Sequence, residues 1–239
     1  MKQNTQNGNA LFFILIAVVM LGLLTMILSR GGSNTEQTGD FERNSIMLGQ
    51  VMRYAKSVEN AVQEMRLRDI SENEISFENS ITSIDYTNPN CDDASDRNFP
   101  RCMIFDVGGS GLSYRNFSGA NDGSDWIFTS ANNVGTTARP IGTTTAGSGN
   151  DLIMLLPNID AALCTQINRD LGVGTTGTIP AETTGIDTTE FTGSYPSASL
   201  IVLDGDPTPF ELDGQAAGCF TDENASPAVT YFYQVLLAR

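Results

Sequence analysis

The feature that most constrains this chain is an uncharged apolar run near its start, Ala10–Leu28. Its nineteen residues would extend about 28 Å as an α-helix, close to the thickness of the hydrocarbon core of a bilayer. Leu, Ile, Phe and Val make up most of the run, and these residue types favour insertion into a bilayer. The run therefore predicts an N-terminal transmembrane helix over residues 9–29.

A secretory signal that is removed after export is the first alternative to a retained helix. Ser29, Arg30 and Gly31 could form a cleavage site of the small-x-small type. The apolar region of such a signal is usually about 7–15 residues long, and this run is longer, so a retained span is favoured. Positive charge at Lys2 precedes the run and a long acidic region follows it. This arrangement favours a single pass with the N-terminus inside and the C-terminus outside.

The residues in front of the apolar run resemble a known processing site. Gly8 stands directly before the run, after a short polar leader, and the stretch from Gly8 and Asn9 to Phe13 is similar to that of type IV prepilins and pseudopilins. The resemblance implies that a prepilin peptidase cuts between Gly8 and Asn9. It also implies that the helix first anchors the subunit in the bacterial inner membrane and then packs against other pilin-like subunits in a filament core. The globular domain would be periplasmic or on the cell surface. The helix residues expected to pack in the filament are Phe12, Phe13, Leu15, Val19 and Leu23.

One position departs from the pattern of that family. Major pilins carry Glu as the fifth mature residue, where it is thought to pair with the N-terminal amine of a neighbour. Here the fifth mature residue would be Phe13. The resemblance therefore points to a minor, tip or accessory subunit.

Composition excludes several functional classes. The chain has 28 Asp and Glu against 13 Lys and Arg, a formal net charge of −15, which argues against a nucleic-acid partner because such a partner favours a basic surface. The sequence contains no His, and this removes His-dependent nucleophiles and His-ligated zinc or haem. We therefore expect a protein that is not an enzyme and has no cofactor, apart from the calcium hypothesis below.

The four cysteines form no C-x-x-C pair, so they do not suggest a zinc or iron–sulfur site. An even number of cysteines behind an apolar N-terminal segment suggests an oxidising compartment and two disulfides. Three connectivities are open. Because Cys91 and Cys102 are close in sequence, we favour the pairs Cys91–Cys102 and Cys164–Cys219.

Residues 40–70 show the periodicity of an amphipathic helix. The preceding segment, Arg30–Gly39, is rich in Gly, Ser and Thr and predicts a flexible break, and Asp40 is a candidate N-cap. Apolar residues then recur at spacings of three and four: Leu48, Val51, Ala55, Val58, Val62 and Met65. The opposite face is polar and partly basic, with Gln50, Arg53, Lys56, Glu59, Gln63 and Arg66. It is either a solvated outer face or a surface that meets an acidic patch on a neighbouring subunit.

Beyond the amphipathic helix, short apolar and β-branched runs predict a sheet. Asp151–Leu156 is too short to assign, and a helix with Asp160 in its first turn and Gly172 after its end is expected to follow. The fold class is therefore predicted as α+β: an N-terminal transmembrane helix, then an amphipathic helix packed on a mainly antiparallel sheet in a globular domain, 71–239, with loop insertions. The predicted strands are Ile75–Phe77, Thr82–Tyr86, Met103–Val107, Leu112–Tyr114, Trp126–Thr129, Leu200–Leu203, Phe210–Leu212 and a central Ala228–Leu237.

Acidic residues around Asp204 form the preferred candidate metal site, and a second acidic loop, Asn121–Asp125, is the alternative. Asp204, Asp206 and Asp213 could hold Ca²⁺, although they do not match the spacing of an EF-hand. Turn chemistry alone also explains Asp and Gly in this segment. A literal G-x-G-x-x-G begins at Gly172, but it follows a helix instead of a strand, so it does not indicate dinucleotide binding.

The sequence thus supports two functional hypotheses. The first is a structural subunit of a type IV pilus-like or pseudopilus-like surface filament, acting in assembly or adhesion. The alternative is a single-pass, membrane-anchored periplasmic or extracellular binding domain that does not polymerise. The two differ in whether the chain is cut after Gly8.

Overall fold

A computed structural model describes residues 8–31, 33–92, 98–135, 139–142, 150–174, 178–196, 201–205 and 211–239, and the side chains of these residues except 8–11, 27–31, 33–41, 201 and 202. The chain divides into two compact units, Met1–Ser45 and Ile46–Arg239. The helices are α1, Gly8–Gly31; α2, Ser33–Leu67; and α3, Ala161–Leu171. The strands are β1, Ile127–Val134; β2, Asp151–Pro157; β3, Ala181–Glu182; β4, Ile201–Leu203; β5, Ala217–Asp222; and β6, Val229–Leu237.

The apolar run lies in helix α1, but the prediction that it spans a membrane is wrong. Within the described part of the chain, no helix combines the length and the apolar character needed to cross a bilayer. A single-pass anchor is therefore not supported, and Ile46–Arg239 form a folded globular unit.

Helix α2 starts earlier than its sequence pattern predicts. It begins at Ser33 instead of near Asp40, so helix occupies most of the segment predicted as a break. The apolar stripe is buried as expected, from Val51 to Met65. Two polar residues expected on the outer face contact strand β6 instead. The Gln63 side chain donates a hydrogen bond to the Leu236 carbonyl (2.9 Å), and Glu59 accepts one from Gln234 (2.9 Å).

The structure is α+β, and its sheet is mixed, with antiparallel pairs among the central described strands and parallel pairs at both edges. The strand order is β3-β5-β6-β2-β1-β4. The pairs β5–β6, β6–β2 and β2–β1 are antiparallel, whereas the edge strands β3 and β4 pair in parallel with β5 and β1. Strands β2 and β6 lie at the centre. For β6 this position is predicted by the apolar character of both faces of 228–237, whereas β2 is too short to assign from its sequence.

Alternate side chains of the central strands enter two hydrophobic clusters. Leu152, Met154 and Leu156 belong to the cluster that contains the buried residues of α2 and α3. Ile153 and Leu155 belong to the second cluster, with Phe220 and Tyr233. This alternation follows from the two-residue period of a strand.

Several predicted strands in the segment 71–125 are wrong. Thr82–Tyr86 and Leu112–Tyr114 are not strands, and residues 75–77 and 103–107 contribute only a single parallel bridge between Ser76 and Met103. Polar side chains bind much of the backbone here in place of a strand ladder. Asn79, for example, accepts hydrogen bonds from the N–H groups of Ile81 and Thr82. For the predicted strand Phe210–Leu212, Phe210 lies outside the described residues and Leu212 is in a turn.

Candidate functional site

The described part of helix α1 carries a continuous apolar surface. Its side chains between Phe12 and Met26 are all exposed, and the large apolar ones are 40% to 67% exposed. None of the residues in this range is charged. The large apolar side chains are Phe12, Phe13, Ile14, Leu15, Ile16, Val18, Val19, Met20, Leu21, Leu23, Leu24 and Met26.

This surface runs around the whole helix instead of forming one stripe. The helical repeat places Phe12, Leu15, Val19 and Leu23, which the sequence singles out for assembly, on one side. The opposite side carries a groove of about 440 Å³, lined by Ile14, Ala17, Val18, Leu21, Gly22 and Thr25. Ala17 and Gly22 have small side chains, so the groove is deepest beside them.

The one hydroxyl in the groove does not interrupt its apolar character. The Thr25 hydroxyl lies 3.1 Å from the Leu21 carbonyl and 2.9 Å from the Gly22 carbonyl, so it donates within its own helix. It therefore needs no polar partner from outside. Helices that are apolar on all sides are buried in their working state, so we expect α1 to be covered from several directions.

The predicted processing site lies at the start of the same helix. Helix α1 begins at Gly8 and includes Asn9, whose side chain lies outside the described ones. Phe13, at the position where major pilins carry Glu, is 63% exposed. Cleavage after Gly8 stays a prediction.

The predicted disulfide between Cys91 and Cys102 is confirmed. Their Cα atoms are 5.9 Å apart and both residues are buried. The bond lies beside the short bridge between Ser76 and Met103. There the Ser76 N–H donates to the Cys102 carbonyl (2.9 Å) and the Ile104 N–H donates to the Ser76 carbonyl (2.9 Å).

The second predicted cysteine pair is brought together but is not bonded in this structure. Cys164 on α3 and Cys219 on β5 are buried free thiols, and a hydrogen bond joins their side chains. Burial raises the pKa of the Cys219 thiol, and the hydrogen bond to Cys164 raises it further. Asn168 holds the two elements together, because its amide accepts from the Cys219 N–H (2.7 Å) and donates to the Cys219 carbonyl (2.9 Å). The disulfide Cys164–Cys219 stays a prediction.

The calcium hypothesis gains no support from the described residues. Asp206 lies outside them, and the part that includes Asp204 and Asp213 holds no group of three or more His, Cys, Asp or Glu that could bind a metal. The Asp204 segment is instead tied down by Glu182. This buried carboxylate accepts hydrogen bonds from the N–H groups of Asp204 and Gly205 (both 3.3 Å). The sequence gives no signal for this role of Glu182, which stands in a Thr-rich segment.

No protein-family model matches the chain. No curated protein and no solved structure matches it either. Its function is therefore inferred from its own residues and geometry.

Proposed function

We propose that this chain is a minor or accessory subunit of a type IV pilin-like surface filament, and that it assembles through helix α1. The observation that carries the proposal is the apolar surface of residues 12–26, which is exposed on every side of the helix. A single partner on one face would leave the rest of this surface in water. Packing among several copies of the same kind of helix would cover all of it.

The energy available from such packing is large. Burying one Leu, Ile, Val, Phe or Met side chain contributes about 1.5–3 kcal/mol. The twelve large apolar side chains of α1 are roughly half exposed, so covering them would contribute on the order of 10 kcal/mol per subunit. Helices α1 of other copies, or of other pilin-like subunits, are the partners that match this surface.

Processing and location follow from the same proposal. A prepilin peptidase would cut between Gly8 and Asn9, and Phe13 in place of Glu suits a minor subunit. The buried disulfide Cys91–Cys102 supports an oxidising environment for the globular domain, in the periplasm or on the cell surface. The acidic net charge of −15 argues against a nucleic-acid partner.

Assembly can be tested with charged residues in the groove of α1. We expect the double variant Val18→Asp, Leu21→Asp to stay monomeric where the wild type forms filaments or large oligomers, because burying an unpaired carboxylate costs several kcal/mol. Leu67→Asp is the matched control, since Leu67 is 87% exposed on α2 in the other unit. Sedimentation velocity gives the size of the particles, and negative-stain electron microscopy gives their shape.

Processing is tested separately on protein recovered from cells. We expect the intact mass to show loss of residues 1–8, and Gly8→Leu to prevent that loss. A wild-type chain that keeps its leader and stays monomeric would contradict the proposal and favour a binding domain that does not polymerise.

A further inference from the structure

The globular unit contains a cavity that the sequence does not reveal. It has a volume of about 430 Å³ and forms where three segments that are distant in sequence meet, 78–81, 103–106 and 113–114. Cavities of about 300–1,000 Å³ are typical of small-molecule sites. The lining residues that matter here are Glu78, Ile81, Met103, Phe105, Asp106 and Tyr114.

Two aromatic rings form a rigid corner of the cavity. The rings of Phe105 and Tyr114 are 5.4 Å apart between centroids and nearly perpendicular, at 88°. The Tyr114 hydroxyl donates to Asp125 (3.2 Å) and accepts from the Trp126 N–H (3.0 Å). Because both bonds fix the Tyr114 ring, this wall is in place before any ligand arrives.

The described lining of the cavity is negatively charged. Glu78 and Asp106 both line it, and no Lys or Arg is among its described lining residues. Neither carboxylate takes part in the ion pairs found among the described residues. One oxygen of Asp106 accepts the Gly108 N–H (2.7 Å), which leaves its second oxygen for a ligand. Glu78 is exposed and its side chain accepts no hydrogen bond in the described part of the chain.

We propose that this cavity binds an organic cation: the alkylammonium or guanidinium group of a free amine or of a Lys or Arg side chain on a partner. Carboxylates form strong charge-assisted hydrogen bonds with such groups, and aromatic rings attract them through their quadrupole. Ile81 and Met103 contact the alkyl chain that carries the charge. An anion would be repelled here, and a wholly apolar ligand would remove two carboxylates from water without a partner. The inference does not rest on assembly through α1.

Binding is tested by NMR titration at low salt on the full chain carrying Val18→Asp and Leu21→Asp, which we expect to be monomeric, and the variants below are made in this background. The probes are agmatine, a free amine with a guanidinium group, and the capped tripeptide acetyl-Gly-Arg-Gly-amide; N-butylacetamide and glucose are the neutral comparators. Glu78→Gln and Asp106→Asn each remove one charge, and the amide oxygen of the second variant can still accept the Gly108 N–H. The matched controls are Glu223→Gln, an exposed acid, and Asp85→Asn, an acid that also accepts the N–H two residues on; neither lines the cavity.

We expect both cationic probes to bind, and each cavity variant to weaken binding at least about fivefold while the controls do not change it. Tighter binding of the tripeptide would assign the natural cation to a protein side chain, and tighter binding of agmatine to a free amine. The proposal is overturned if no cation binds up to about 10 mM, if the neutral comparators bind equally well, or if the cavity variants bind like the controls.

Discussion

At the scale of single residues, Asp151 is the charged group whose burial has the clearest thermodynamic consequence. It lies at the start of β2 and is fully buried. One of its oxygens accepts the Val134 N–H (2.9 Å) and the other accepts the Arg239 N–H (3.0 Å). Burial raises the pKa of the Asp151 carboxyl above 3.8, and these two hydrogen bonds offset only part of that rise.

A raised pKa in the folded state fixes the sign of the pH dependence. The folded chain holds the Asp151 proton more tightly than the unfolded chain does, so this residue stabilises the fold most below its ordinary pKa. That contribution is lost as the pH rises through the raised pKa. The free energy of unfolding of wild type, relative to the non-titrating variant Asp151→Asn, should therefore fall as the pH increases.

Urea unfolding of the two proteins from about pH 3 to about pH 7 measures this difference. The other acidic groups titrate in both proteins, so their contributions cancel in the difference between the two free energies of unfolding. A difference that stays constant, or that grows with pH, would contradict the assignment of Asp151 as a carboxyl whose charged form is disfavoured by burial.

At the scale of elements, helix α3 shows how two caps define a short helix. The Asp160 side chain accepts hydrogen bonds from the N–H groups of Ala162 (2.9 Å) and Leu163 (3.2 Å). At the other end Gly172 adopts a left-handed conformation with φ of 71°. Eleven residues are too few for a stable isolated helix, so the caps and the packing of Leu163, Cys164 and Ile167 hold it together.

Removing the N-terminal cap should therefore destabilise the domain. We expect Asp160→Ala to lower the free energy of unfolding by about 1 kcal/mol, because two N–H groups of the first turn lose their acceptor. Asp170→Ala is the control within the same helix. Asp170 is exposed near the C-terminus, where a negative charge is unfavourable to the helix dipole. Chemical denaturation compares the three proteins, and equal losses in both variants would argue against a capping role.

The C-terminal cap of α3 and the central strand could be predicted because their signals are local. Gly172 follows the helix as predicted, and the strand predicted at Ala228–Leu237 is observed at Val229–Leu237. Asp160, predicted inside the first turn, is the N-cap instead. Strand β5, Ala217–Asp222, was not predicted. Its sequence is short and contains Gly, so its pattern is a weak signal for a strand. The strand depends on its pairing with β6.

The cavity could not be predicted, because none of its three segments forms a regular element. Phe105 and Asp106 lie beside Glu78 and Tyr114 in loops. Side chains such as Asn79 and Asp125 hold the backbone of these loops by hydrogen bonds. Periodicity carries no information about such contacts. The same limit applies to α1. Its apolar run predicts a helix, but hydropathy alone does not say what covers that helix.

At the scale of the whole molecule, the chain separates its two proposed tasks into two units. Residues of both hydrophobic clusters belong to Ile46–Arg239, and so do the disulfide and the cavity. The apolar surface of α1 belongs to Met1–Ser45. If assembly depends on the first unit and stability on the second, removing the first unit should separate the two properties.

We therefore predict that a fragment of residues 46–239 folds and stays monomeric. It keeps the part of α2 from Val51 to Met65, whose buried side chains belong to the main hydrophobic cluster. Its midpoint of thermal unfolding should lie within a few degrees of that of the full chain carrying Val18→Asp and Leu21→Asp, which is the matched control because it too should be monomeric. Circular dichroism measures the midpoint, and sedimentation velocity measures the mass. A fragment that is unfolded would show that the first unit stabilises the second, and a folded fragment that still forms large assemblies would place the assembly surface outside α1.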